Sequence, residues 1–489
     1  MTSPLVRLTA ALALGVVLLA LPAKRPPVPP APPGAAPFEW NQDSLWRALE
    51  GRFVAVRTAG CVDAPVEMSL GFTTVSTLLD SLAASDVAPS DPRLDSLEAG
   101  FFALGPVVAA CPAGLREYVT LSGRLREVAK DQSQHWDAND LPSRQRLYRL
   151  LYGTRAAVEE AMLQHPDSAL PLLVGRDEPS ATPSAEVLGV RIHSGDMLVS
   201  RGGYPTSALI ARGNDYPGNF SHVGLVYVDS ATGEVSVIEA HIEVGVAITT
   251  AEGYLADKKL RLMVMRPRAD LPALVADPML PHRAAAAILA RARSEHIPYD
   301  FAMDYSDPGA LFCSEVASTA YHDEGLTLWM GLSTISRLGI RTWLSEVGVK
   351  HFETQEPSDL EYDPQLVVVA EWRDPADLRQ DHLDNAVLDA MLEGADQGVE
   401  LDYPWYKLPP ARLAKGYSWV QVAFGGHGPI PEGMSASSAL SHDVFVTRQR
   451  ALAAKVQAAV DSTTASQGYP PFYWTLVDLA TRATQADSL

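Results

Sequence analysis

Ser221–Val228, SHVGLVYV, carries the alternation of a half-buried β-strand with a histidine at its head. Its alternation sets His222, Gly224, Val226 and Val228 on one face of a strand and Val223, Leu225 and Tyr227 on the other. His222 therefore opens the strand, where its ring can project from a sheet; taken alone, a histidine there serves structure as readily as catalysis. Further on, Cys313 opens a helix-like run, CSEVASTAYHDEGL, which Gly325 should end. A thiol becomes a competent nucleophile when its pKa is lowered, and a helix N-terminus with a facing imidazole lowers it. Histidine before cysteine, each in such a setting, points to a thiol hydrolase.

Between the two lies EVSVIEAH, Glu234–His241, a second strand pattern that puts Val237, Glu239 and His241 on one face. Glu239 can lie across from His222 and hold its imidazole in the useful tautomer, as the third member of a triad does. The plain alternative is a solvated strand residue, and His241 is the reserve for the third position. Cys313 follows PYDFAMDYSDPGALF, in which Tyr299 can donate to an oxyanion, contact substrate, or simply pack on the helix. If Cys313 is the first helical residue, the macrodipole and its unpaired N–H groups favour the thiolate and an oxyanion alike.

Working outward, Asp196–Ser200 and Leu260–Met265 read as further strands, with the turn DSATGE joining His222–Val228 to Val235–His241. A helix should begin at Pro281 and run through His296. These elements make an α+β segment with an antiparallel sheet, placed at 186–345. Residues 38–185 form a helical domain: Leu94, Leu97, Phe101 and Leu104 share a face, as do Leu147, Leu151, Val158 and Met162, and Pro142 and Ser143 mark a helix start. The loop RDEPSATPSAE separates it from the sheet segment. Residues 346–489 are a mostly helical extension of unassigned role. It holds one apolar strand, LVVVAEW, then an acidic helix with Leu383, Val387 and Met391 on one face and Gly394 as its stop. Its later stretch YPWYKLPPARLAKGYSW has aromatics that read as core more readily than as surface.

The 489 residues suggest about three domains. A net charge of −20 without a Lys/Arg-rich run argues against nucleic acid and against electrostatic docking on anionic lipid. Arg7 precedes an apolar run, Leu8–Leu21, that is short for a membrane span, and PPVPPAPPGAAP follows it. Residues 1–23 therefore read as a signal peptide or an uncleaved N-terminal anchor, and 24–37 as a Pro-rich linker. The expected location is periplasmic or secreted, or anchored to the inner membrane if the segment stays. Of three cysteines, Cys61 and Cys111 pair most economically as a disulfide, leaving Cys313 free; two buried free thiols are the alternative. No HExxH, CxxC, GxSxG, GxxxxGK[ST] or GxGxxG is present and metal ligands do not cluster, so no metal and no cofactor is implied.

The set GDMLVSRGG, NFSHVGLVYV, VSVIEAH, PYDFAMDY and LFCSEVASTAYHDEG resembles the circularly permuted papain-like amidases of the YiiX/YebB type, a branch of the NlpC-like cysteine hydrolases. The resemblance covers roughly residues 190 to 330. It implies a permuted core in which the histidine and a polar third residue precede the nucleophile, with Cys313 as nucleophile, His222 as general base and Glu239 as the orienting residue. The function it implies is an exported amidase or peptidase working through an acyl-enzyme, with cell-wall peptides as substrate by analogy. Two other readings stand beside it. One is acyl-lipid transfer or ester hydrolysis on the same core, which an apolar tunnel to Cys313 would favour and a polar open groove would not. The other is a non-catalytic binding module.

Overall fold

Alternating apolar residues build a seven-stranded sheet, every neighbouring pair antiparallel. The structure is a computed structural model and describes residues 15, 19–39 and 43–487. The strands are β1 Leu172–Val174, β2 Ser184–Val187, β3 Val190–His193, β4 Met197–Gly202, β5 His222–Val228, β6 Val235–His241, β7 Gly245–Thr250, β8 Lys259–Pro267, β9 Ser333–Thr334, β10 Glu353–Thr354 and β11 Leu366–Trp372. The large sheet runs β1-β11-β8-β4-β5-β6-β7, while β2–β3 and β9–β10 are separate two-stranded pairs. The expected strands are all present. β1, β2, β3, β7, β9 and β10 are additions, all but β7 too short to give a periodic signal.

The helices are α1 Asp43–Ala59, α2 Ala64–Ala83, α3 Pro92–Ala110, α4 Leu115–Ser133, α5 Leu141–Tyr148, α6 Thr154–Gln164, α7 Pro205–Arg212, α8 Ala251–Ala256, α9 Pro272–Ala276, α10 Leu280–Ser294, α11 Cys313–Asp323, α12 Leu338–Val347, α13 Asp359–Tyr362, α14 Pro375–Asp396, α15 Leu408–Ala423, α16 Ala436–Gln467 and α17 Tyr473–Asp487. In α1–α6 the apolar faces read from sequence are buried together, and the Cys61–Cys111 disulfide ties the start of α2 to the end of α3. It closes a separation of 50 residues, worth about 4 kcal/mol in the chain-entropy treatment. α5 is capped by Asp140, whose carboxylate accepts from the Ser143 N–H, one residue before the expected turn.

The sheet's two faces follow the alternation. Val199, Val223, Leu225, Ile238 and Met263 pack against α10 and α11. Leu198, Val226, Val237, Val264 and Val367 pack on the other side with Tyr254 and the β2–β3 hairpin. A buried ionic layer joins the α1–α6 helices to the sheet. Arg126 of α4 donates to Glu371 of β11 at 2.7 Å, and Arg155 of α6 pairs with Glu361. Glu159 of α6 accepts from Arg261 of β8 at 2.7 Å and from His382 of α14 at 3.2 Å.

Two expectations are corrected, and the course of the Pro-rich stretch is defined. Gly394 lies inside α14, which continues to Asp396; Gly398, at φ +92°, is the left-handed residue beyond its end. The Pro-rich stretch 24–37 is laid on the body: Arg341 donates to the Pro30 carbonyl at 3.0 Å, Arg25 bonds Glu400 at 2.6 Å, and the Phe38 N–H reaches Asp215. Trp405, Tyr406, Tyr417 and Trp419 are exposed, so these aromatics are surface and not core. The run Leu8–Leu21 lies mostly outside the described residues, and no described helix is long and apolar enough to cross a membrane; the anchor reading gains no support.

Candidate active site

β5 begins at His222 because Ser221 leaves the preceding loop to pair with β4, its N–H donating to the Ser200 carbonyl at 2.9 Å. Register then sets Glu239 of β6 opposite Gly224, one step diagonal to His222. Gly224 has no side chain to fill that diagonal: a Cβ there would stand 2.7 Å from Val237 Cγ1. The vacant position lets Glu239 reach the imidazole, and its Oε2 lies 2.6 Å from His222 Nε2.

Glu239 gathers three donors. Its Oε1 lies 3.2 Å from His241 Nε2 and accepts from Thr249 Oγ1, on β7, at 3.1 Å. Burial would raise this carboxyl, but the hydrogen bonds from His222 and then His241 outweigh it and hold Glu239 well below the ordinary carboxylate range. The same bond to Glu239 raises His241, whereas burial lowers His222 against the pull of the carboxylate. A carboxylate at Nε2 fixes the His222 proton there, and Nδ1 is left as the basic nitrogen.

Cys313 is the first residue of α11, as expected. The helix start is held by Glu315, whose Oε2 accepts the Phe312 N–H at 2.7 Å, the returning half of a capping box. Sequence reasoning passed over Glu315, although glutamate two residues after a helix-opening residue was a signal for it. α11 packs on the Val223–Leu225 face of the sheet, so the thiol meets β5 at its very first residues. The thiol donates to the Ser221 carbonyl at 3.8 Å and is not hydrogen-bonded to His222. Burial pushes Cys313 up to about 12, more than the Val223 and Ser314 N–H groups draw it down. The lowering expected from the helix N-terminus is opposed here by desolvation of a residue 4% exposed, which outweighs it.

Tyr299 arrives from the loop before α11. Gly245, at φ +77°, lets that loop come close, since a Cβ would lie 2.2 Å from the Ile297 carbonyl oxygen, and the Val246 N–H donates to this carbonyl at 2.9 Å. Asp300 ties down the next turn through the N–H of Ala302 at 2.7 Å. Tyr299 is half-buried against Phe301, and burial raises its hydroxyl well above the ordinary range, so it stays a donor.

One cavity of about 460 Å³ brings Cys313, His222, His241 and Tyr299 to a common wall, with Ser200, Ser221, Glu243, Lys258, Lys259 and His442 around it. Thr249 and Tyr254, which donates to Ser200 Oγ at 3.0 Å, support this wall from behind and were not legible in the sequence. The cavity thus offers a thiol, an imidazole oriented by a carboxylate, and a phenol donor, the parts needed for nucleophilic attack on an acyl carbon.

The chain matches no curated protein and no solved structure. Residues 191–370 match the model of a family described as permuted papain-like amidase enzyme, YaeF/YiiX, C92 family. The match spans β3 to β11 and takes in His222, Glu239 and Cys313. The segment that carries this site is thus similar to the permuted papain-like amidases.

Proposed function

We propose that this chain is a cysteine amidase or peptidase in which Cys313, His222 and Glu239 act together. The observation that carries the reading is the 2.6 Å contact of Glu239 with His222 Nε2, which leaves Nδ1 as the basic nitrogen of a ring that lines the same cavity as Cys313. On attack the Cys313 proton passes to Nδ1 while sulfur bonds to the amide carbon. His222 then returns that proton to the leaving amine, and the acyl-enzyme is released by a water whose proton His222 accepts. The thiol is neutral before substrate arrives, so deprotonation accompanies attack and no resting ion pair is needed. Reaching Nδ1 requires the thiol to turn from the Ser221 carbonyl, a tightening common on substrate binding.

The charged groups Lys258, Lys259, Glu243 and His442 in the cavity wall, beside apolar Ile210, Ile242 and Val446, support an amide or peptide substrate over the wholly apolar tunnel an acyl-lipid enzyme needs. Export, and cell-wall peptides as the natural substrate, complete the proposal; the Cys61–Cys111 disulfide is what supports an oxidising compartment. The test is a panel of peptidoglycan peptides and acyl lipids against the protein, Cys313→Ala and Glu239→Gln. Amide hydrolysis should vanish in Cys313→Ala and fall by roughly 10²–10⁴-fold in Glu239→Gln, where the tautomer is no longer fixed. Unchanged amide turnover in Cys313→Ala, or turnover of acyl lipids alone, would overturn it.

A further inference from the structure

α15 leaves an apolar stripe in solvent. Leu413, Tyr417, Val420 and Phe424 follow one another at spacings of four, three and four, which is one face of a helix, and all four are exposed, Phe424 at 86%. Trp405, Tyr406 and Trp419 stand out beside the stripe. An apolar row of this kind would ordinarily be turned inward, and single exposed apolar residues do not form such a row.

The charges around it are arranged to leave the face neutral. From Tyr403 to Phe424 there is no acidic residue, in a chain whose net charge is −20. The basic residues there face elsewhere: Lys415 is buried and donates to the Pro431 and Glu432 carbonyls at 2.7 and 2.6 Å, Lys407 reaches Asp443 at 3.3 Å, and Arg412 donates to the Leu19 carbonyl at 2.8 Å. That last bond also fixes where the chain's most apolar run, Leu8–Leu21, comes to its end: on this same helix.

We propose that α15 is a contact for a lipid bilayer interface, lying along a zwitterionic surface with the Leu413–Phe424 stripe among the acyl chains and the Trp and Tyr rings at headgroup level. Rings with an apolar body and a polar edge are the side chains that settle at that boundary, and a helix with no acid of its own brings little repulsion from phosphates. The absence of free basic side chains makes the contact apolar in origin, in keeping with a composition that argues against electrostatic docking. The face also lies close to the candidate site. The loop after α15, from Gly425 to Gly433, forms a cavity wall together with Tyr299 and Glu243, two residues that line the site as well. A chain resting on α15 would hold its site beside the lipid surface.

The test uses the full chain with vesicles of pure phosphatidylcholine, some of it brominated on the acyl chains. The protein should float with the vesicles equally at low and high salt. Leu413→Ser, Val420→Ser and Phe424→Ser together should weaken the partition by about tenfold or more, with the melting temperature unchanged. Trp405→Phe with Trp419→Phe should keep the partition and lose most of the bromine quenching; these substitutions are exposed and conservative, so they carry the test even if the triple variant misfolds. Failure of the parent to float overturns the proposal. So does undiminished flotation or quenching in the variants, which would put the contact elsewhere, for example in residues 1–18. Self-association of the chain that the same three substitutions abolish would assign the face to a second copy and overturn it too.

Discussion

At the scale of single residues, the site contains two states of readiness. Glu239 is an anion held by three donors, and His222 is poised by it; Cys313 is a neutral thiol, at about 12, facing a carbonyl. Alkylation should reflect this. The rate of iodoacetamide labelling of Cys313 should be low at pH 7 and climb steadily through the alkaline range, because only the anion reacts. A rate already flat between pH 6 and 8 would reveal a resting ion pair and contradict the neutral thiol. His222, Glu239 and Cys313 were legible in the sequence because a strand start, a strand face and a helix start each leave a local pattern. Thr249 and the Ser221 carbonyl were not, since a hydroxyl on a neighbouring strand and a main-chain oxygen acquire their roles only from register.

At the scale of elements, α11 depends on Glu315. Burial pushes this carboxyl up to about 9 while it accepts the Phe312 N–H, so it stays protonated at neutral pH. An unfolded glutamate ionises near 4.3. Between these values the unfolded chain releases a proton that the folded chain keeps, and stability falls as pH rises. Glu315→Gln keeps an acceptor in place and has no such proton. Its melting temperature should match the parent's near pH 4 and exceed it increasingly toward pH 9, by a few degrees. A gap that stays constant across this range would mean that Glu315 is ionised in the fold. The elements themselves were read well where apolar period and length agreed, as in β5, β6 and β11. β1 has three residues, too few for a period, and Gly394 misled because its neighbours' packing carried α14 past it.

At the scale of the molecule, the helices before the sheet are joined to it by ions as much as by apolar contact. Glu159 touches Arg261, His382 and, at 3.6 Å, Arg373, all buried. Glu159→Ala would strip Arg261 and Arg373 of a shared carboxylate, leaving only Asp381 and Glu371 to answer them, and denaturant unfolding should show a loss of about 3–5 kcal/mol. A loss under about 1 kcal/mol would mean that the layer is spectator packing. None of these partners was legible, because their sequence separations run from 102 residues to 223 and charge alone does not choose among distant arginines.

The burial of Cys313 has a chemical consequence beyond catalysis. Peroxide and other oxidants take the thiolate, not the thiol, toward sulfenic and then irreversible sulfinic acid. Surroundings oxidising enough to keep Cys61–Cys111 closed would steadily consume an exposed anionic cysteine. A nucleophile kept neutral and largely buried gives up speed at rest and gains lifetime, so one chain can carry a permanent cross-link and a surviving free thiol through the same medium.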